Sequence, residues 1–598
     1  MDSQKRLLVA LGLSFVLTMV YTTFFAPKPP PAPAVPTAQV ASPPPAAAPS
    51  PELAAARAAA PSPSNPGVES SAPRVTVPRN FGLIHYLFDS EGGSLVRAEL
   101  QGRKTREQGQ VSWIEGYQRM LGKQIPEPPP MDMATPPVGV IPSLGFALEG
   151  AQPISALLRY RPVEDPQHPE RLVFEAETAG WKVVRSYEWT GAESGFVATV
   201  ALTNTGAVVA SGDLAVHYAR AVDPAKEEPP NFFGGVGNQS RSSCAVGEKV
   251  ERLLPKDDPN PEFHGPIHFF GVDQQYFLGA LYPLDGAREG RCTLSATPTA
   301  RSVVARFPVM VAPGATMTQR FGVYIGPKDV ELLEMAPSSL APRGQALAFQ
   351  PHLERTVDFG IWAFICNLLL LVMKAVHKLI PNWGVAIILL TVGVKLVLLP
   401  LTHKQMVSAE AMKKLQPKME ELKKKFGEDR ERLSLETMKL YQEAKVNPLG
   451  GCLPLLVQMP IWFALFTTLR NSYEIYREPF ISPIWMDLTY KDPTYLLPLG
   501  LGVTMILTQR LQPQMMDAAQ ARIFTYVMPV FFTAIMLNYP SGLSLYIFTN
   551  NLLSIIQQYG LRRYLDRPGA AAGRGSAKED RSRLERQLTS ARASEKAE

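Results

Sequence analysis

Apolar positions follow two rhythms along this chain, and its character changes where one gives way to the other. Between about residues 74 and 329 the period is two. In residues 171–177 (RLVFEAE) Leu172, Phe174 and Ala176 recur at every second position, and Phe196, Ala198, Val200 and Leu202 repeat the pattern. Such alternation predicts strands with one buried face. Further strands are predicted over 181–189, 214–221, 302–311 and 320–325, with turn signals at Asn204-Thr205-Gly206 and Pro313-Gly314 between them. Many short strands with no helices between them predict an antiparallel β-sandwich of about 250 residues.

After about Phe359 long apolar runs replace the alternation. Residues 384–402 (GVAIILLTVGVKLVLLPLT) reach roughly 28 Å as a helix, close to the thickness of bilayer hydrocarbon. Lys395 lies well inside this run. An ammonium near mid-bilayer costs about 2.5–3.5 kcal/mol, so the helix should turn it toward water or a partner, with Thr391 one turn earlier on the same face. A lysine snorkelling to the interface on its long stem accounts for the same residue. Four more apolar stretches follow, at 449–470, 495–511, 524–539 and 543–561, and Pro540-Ser541-Gly542 turns the last two into a hairpin. Gln458, Asn550 and Asn551 fall within them. Polar groups at that depth imply a hydrophilic pocket among the crossings.

The N-terminus reads as a further crossing. Lys5 and Arg6 precede an apolar run over 7–25 that lacks a small-x-small cleavage pattern, so residues 1–26 are expected to form an uncleaved anchor. The Pro/Ala-rich stretch 27–73 follows as an extended linker. The sandwich domain is then expected over 74–350, the membrane core over 384–562 and a basic tail over 563–598. The count is six crossings, five of them in the core.

Residues 361–380 are ambiguous, because an apolar start gives way to Lys374, His377 and Lys378. Charge decides. The net charge of +6 is small for 598 residues, but Lys and Arg gather between 404 and 445 and again from 562 onward, which marks those segments as cytoplasmic. An additional crossing at 361–380 would put the first basic segment outside. Residues 351–383 are therefore expected to form an amphipathic helix along the outer interface, with His377 on its polar edge.

Residues 403–446 predict a charged helical hairpin whose seam is Met412, Leu415, Met419, Leu422 and Phe426, with Gly427 closing the first arm and Asn447-Pro448 the second. Met406, Met412, Met419 and Met438 could form an adaptable surface for apolar segments. Packing of the two arms explains Met412 and Met419 equally well.

Little in the chain points to covalent chemistry. GxSxG, HExxH and Walker-type loops are absent, and Gly234-Gly235-Val236-Gly237 reads as a loop. The four cysteines show no metal-ligand spacing, so neither a metal nor a cofactor is expected. Cys244 and Cys292 share the outer domain, where a disulfide is possible.

Residues 384–402, the hairpin, the runs 446–452 (VNPLGGC) and 454–461 (PLLVQMPI), and Pro540-Ser541-Gly542-Leu543 together resemble the YidC/Oxa family of membrane protein insertases, in its Gram-negative form with a large periplasmic domain. The resemblance implies a non-enzymatic insertase of the cell inner membrane, with both termini cytoplasmic. It would insert and help fold nascent membrane proteins, alone or with the Sec translocon (SecYEG, SecDF), near the ribosome and the lipid bilayer. Its groove would open to the cytoplasm and to lipid. In that family a basic residue, usually arginine, draws the polar end of a client, and the position corresponds to Lys395, with Thr391 one turn before. Tyr546 matches a tyrosine that contacts client segments, whereas Gln458 and Asn550 are groove-lining by their polarity at depth. Lysine keeps the charge but loses the planar fork. A small-solute transporter and a membrane-anchored assembly scaffold are the competing readings.

Overall fold

The computed structural model describes residues 73–565, except 103, 105–117, 119–120, 122, 124–128, 165, 228–238, 256–259, 287, 341–349, 427–428, 445–452, 483 and 512–521. The anchor, most of the linker, most of the basic tail, the Gly234–Gly237 cluster, Gly427 and the NPLGGC run lie outside the described residues.

Among the described residues, sixteen antiparallel strands occupy the first part. β1 (Thr76–Phe81), β2 (Ile84–Asp89) and β3 (Ser94–Leu100) form a small sheet. The remaining thirteen, β4 (Phe146–Gly150), β5 (Arg161–Val163), β6 (Arg171–Thr178), β7 (Trp181–Glu188), β8 (Gly195–Asn204), β9 (Ala210–Ala221), β10 (Arg241–Val246), β11 (Lys249–Leu253), β12 (Glu262–Asp273), β13 (Phe277–Pro283), β14 (Arg288–Thr297), β15 (Ala300–Val311) and β16 (Thr316–Pro327), form one long sheet in the order β4-β9-β15-β14-β12-β13-β16-β8-β7-β6-β5, with β10 pairing with β12 off this path and β11 pairing with β10. Alternation works as the sequence predicts. Leu172, Phe174 and Ala176 of β6 (Arg171–Thr178) are buried, as are Phe196, Ala198, Val200 and Leu202 of β8 (Gly195–Asn204). Gly314, at a φ of 72°, makes the turn between β15 (Ala300–Val311) and β16, a backbone conformation that costs glycine nothing.

The long sheet bends over on itself. β15 and β16 stand far apart in strand order, yet Phe307 and Phe321 have ring centroids 5.8 Å apart, and Phe321 also meets Phe146 of β4 at 5.7 Å. The small sheet closes the other end, where Phe88 stacks on Tyr187 of β7 (Trp181–Glu188) at 4.7 Å. A disulfide joins Cys244 of β10 (Arg241–Val246) to Cys292 of β14 (Arg288–Thr297), two strands that both pair with β12 (Glu262–Asp273).

Nine helices follow among the described residues. α1 (Val330–Leu340) packs on the sandwich, and α2 (Ala363–Leu379) extends a short 3-10 turn at Gly360–Trp362. α3 (Trp383–Val397) is capped by Asn382, whose side chain accepts from Val385 N at 3.0 Å and donates to Phe480 O at 2.8 Å. The run predicted as one helix over 384–402 is divided by a turn at Leu398, after which α4 begins (Leu399–Phe426). Pro400 has no N–H for the i−4 carbonyl, which explains the break. α4 and α5 (Arg430–Glu443) form the hairpin, and the Tyr441 hydroxyl donates to Met419 Sδ at 3.0 Å.

α6 (Leu453–Asn471), α7 (Leu496–Leu511), α8 (Ile523–Met536, with a π-helical first part at Ile523–Val527) and α9 (Ser541–Leu565) complete the chain. By length and composition, Gly360–Leu379 is the one described helix apolar enough to cross a membrane, while Trp383–Val397, Leu496–Leu511 and Ile523–Met536 are apolar but shorter. α6 and α9 are long, but polar side chains interrupt them, Gln458 in α6 and Asn550, Asn551 and Gln557 in α9.

The two parts meet around the segment after α6. Tyr476 is buried among the sandwich core residues, with its ring 4.3 Å from Tyr276 and 5.6 Å from Phe277. Gln275 Nε2 donates to Arg470 O at 2.7 Å, satisfying a carbonyl in the last turn of α6. Lys104 pairs with Glu478 at 2.6 Å, and Lys374 of α2 bridges Glu331 at 3.0 Å and Glu474 at 2.8 Å.

Candidate functional site

α9 packs against α3, α6 and α7, and the side it turns to α3 and α6 is polar. Tyr546, Asn550, Ser554 and Gln557 succeed one another at steps of four, four and three, so they share a face. Tyr546 is buried beside Gln458 of α6. Gln458 Nε2 donates to Asn550 Oδ1 at 3.3 Å. Lys395 Nζ of α3 donates to Ser554 Oγ at 2.8 Å, and Gln557 Nε2 donates to Thr402 Oγ1 of α4 at 2.6 Å.

Four of the five residues singled out from the sequence therefore fall into one connected set: Lys395, Gln458, Tyr546 and Asn550. Thr391 stands apart from it chemically. Its hydroxyl is buried and donates to Ile387 O of its own helix at 2.6 Å, so it lends a small side chain to this region and no free donor. Sequence reasoning missed Ser554 and Thr402. The signal for Ser554 was its place one turn beyond Asn550.

Lys395 is half-buried, and among the described residues it forms no ion pair with a carboxylate. Asn551 Nδ2 and Gln558 Oε1, on α9 beside these rungs, are buried without a hydrogen-bond partner among the described residues. A cation held by a neutral hydroxyl, with amides nearby, can receive an anionic or strongly polar group.

The hairpin methionines are a separate group. Met419 packs between the arms and Met438 is about half exposed, while the side chains of Met406 and Met412 lie outside what the structure describes. His377 stacks on Trp383 with ring centroids 4.4 Å apart.

Residues 375–568 match the family described as 60Kd inner membrane protein, and residues 158–372 match the YidC periplasmic domain. The chain is 37% identical over 578 residues to the membrane protein insertase YidC of Anaeromyxobacter dehalogenans (strain 2CP-C), covering 95% of this chain and 99% of the relative. It is 32% identical over 574 residues to the YidC of Geobacter metallireducens, covering 95% and 99%. Among solved structures, an active YidC insertase with its first transmembrane domain resolved aligns with a TM-score of 0.34 and 21% identity, over 82% of this chain and 93% of that one.

Proposed function

The chain belongs to the YidC membrane protein insertase family, and from that premise we propose that it inserts nascent membrane proteins into the inner membrane along the polar face of α9. In this reading the anchor and the helices α3, α6, α7, α8 and α9 cross the bilayer, both termini are cytoplasmic and the sandwich is periplasmic. α2 lies along the outer interface. Its length would let it cross, but a crossing there would reverse the basic hairpin, and the pairing of Lys374 with Glu331 and Glu474 supports a polar edge turned toward the outer domain.

The observation that carries the proposal is Lys395. It points at a neutral hydroxyl within a ladder of amides, so its charge is available to a visitor. A client span is captured at the cytoplasmic hairpin, beside the ribosome, and its polar flank moves along the ladder toward Lys395. Shortening the path through hydrocarbon lowers the barrier for the flank, and burial of the span at roughly 25 cal/mol per Å² of apolar surface drives the step without a covalent reaction. The protein works in this way alone or beside the Sec translocon.

The test is insertion of a single-span client with an acidic outer tail into liposomes. Lys395→Ala and Lys395→Glu should lower protein-dependent insertion, by about tenfold or more for the charge reversal, while Lys395→Arg retains it. Equal insertion by Lys395→Glu would show that this charge does not draw the tail.

A further inference from the structure

The hydroxyl that receives Lys395 has its own proton committed elsewhere. Ser554 Oγ donates to Asn550 O, four residues back on α9, at 2.8 Å, and accepts from Lys395 Nζ at 2.8 Å. A serine hydroxyl has one proton and two lone pairs, so with the proton turned into the helix it presents only acceptor capacity to the neighbouring helix. That is a suitable rest for an ammonium and a poor one for a carboxylate. Back-bonding of serine to its own helix is common and by itself implies nothing about a partner. Here it coincides with a cation from another helix, part-way along a ladder that runs roughly 16 Å from Tyr546 to Gln557 at helical rise.

We propose that Ser554 is a positioning residue, which holds the Lys395 ammonium on the polar face of α9 and thereby makes the groove selective for client tails that carry carboxylates. This rests on the insertase reading above. Without Ser554 the flexible lysine stem is free to carry its charge toward the cytoplasmic interface, away from the Gln458–Asn550 rung. With a neutral resting partner, an arriving carboxylate displaces a hydroxyl instead of competing with a resident anion. The positive site is then a place between two helices, and it should not matter which helix supplies the ammonium.

The experiment compares, in liposomes, insertion of one single-span client bearing an acidic outer tail with the same client carrying amides in place of the carboxylates. The readout is the acidic-to-neutral insertion ratio, for full-length variants whose folding is verified by thermal melting in detergent. Ser554→Ala should lower the ratio by about tenfold, the worth of one hydrogen bond to a charged group, and Ser554→Thr should keep it within about threefold of wild type. Ser554→Asp, which gives the ammonium a permanent counter-charge, should lower it at least as far as Lys395→Ala. The decisive variant exchanges the residues: Lys395→Ser combined with Ser554→Lys should recover a ratio well above that of Lys395→Ser alone. A folded Ser554→Ala protein with the wild-type ratio would overturn the proposal, as would an exchange that recovers nothing. Wild type that inserts both tails equally would instead refute the charged-groove reading itself, and the role of Ser554 with it.

Discussion

His217 and Arg185 illustrate what a strand pattern can hide. His217 of β9 (Ala210–Ala221) is pushed down to about 4 by burial, and then by the positive charges of Arg306 and Arg185. It stays neutral in the fold, while the unfolded chain takes up a proton below about 6.5. The unfolded state therefore binds more protons between these values, and the sandwich should lose stability as pH falls from about 6.5 to about 4. Thermal melting across that range should show a decline that is shallower by a few degrees in His217→Asn; parallel curves for the two proteins would contradict this. Arg185 is fully buried, donates to Leu144 O at 3.0 Å and lies 4.6 Å from the centre of the Phe146 ring. Alternation puts Arg185 on the buried face with Trp181, Val183 and Tyr187, where a charge is not expected, and the aromatic rings that receive it, Phe146 and Tyr160, come from parts of the chain distant in sequence. Ser554 escaped notice for a similar reason. A single hydroxyl in an apolar helix is unremarkable until the neighbour that brings the cation is known.

Elements were legible where their period was clean. The strands over Arg171–Thr178 and Gly195–Asn204 follow directly from alternation, and the hairpin from its seam. The later helices over 449–470 and 543–561 were legible as elements despite Gln458 and Arg470 in α6 and Asn550, Asn551 and Gln557 in α9, which lower the mean hydropathy of helices that are otherwise long. The disulfide was open in the sequence because it depends on β10 and β14 both pairing with β12, a register no local pattern encodes. Within the hairpin Met419 and Met438 sit differently. Met419 accepts from the Tyr441 hydroxyl across the seam, whereas Met438 is about half exposed on the second arm. Met419→Ala should therefore loosen both arms, raising amide hydrogen exchange over residues 415–443 by about fivefold, the equivalent of about 1 kcal/mol. Met438→Ala should leave exchange alone and weaken cross-linking to a nascent apolar segment. Unchanged exchange in Met419→Ala would remove the packing role.

On the scale of the whole molecule, the sandwich and the helices are joined through side chains that lie hundreds of residues apart in sequence. Tyr276 and Phe277 enclose Tyr476, Gln275 reaches the last turn of α6, and Lys104 reaches Glu478. These contacts fix the C-terminal end of the helix that carries Gln458, while Gln458 itself, nearer its N-terminus, meets Asn550 of α9. No motif announces such a junction, since each residue is ordinary in its own strand or loop. The division into a strand-rich domain, a helical core and a charged hairpin was legible throughout, because each has a different period and charge.

The central claim is that a client's polar tail travels along the α9 face defined by Tyr546, Asn550, Ser554 and Gln557. It is tested most directly by placing a photo-cross-linking residue at Asn550 or at the exposed Leu552, two positions on and nearly opposite around the helix, and stalling a nascent client with an acidic tail. Cross-links from position 550 to the tail, with few or none from position 552, are the predicted result. Equal cross-linking from both positions, or cross-linking from 552 alone, would contradict it.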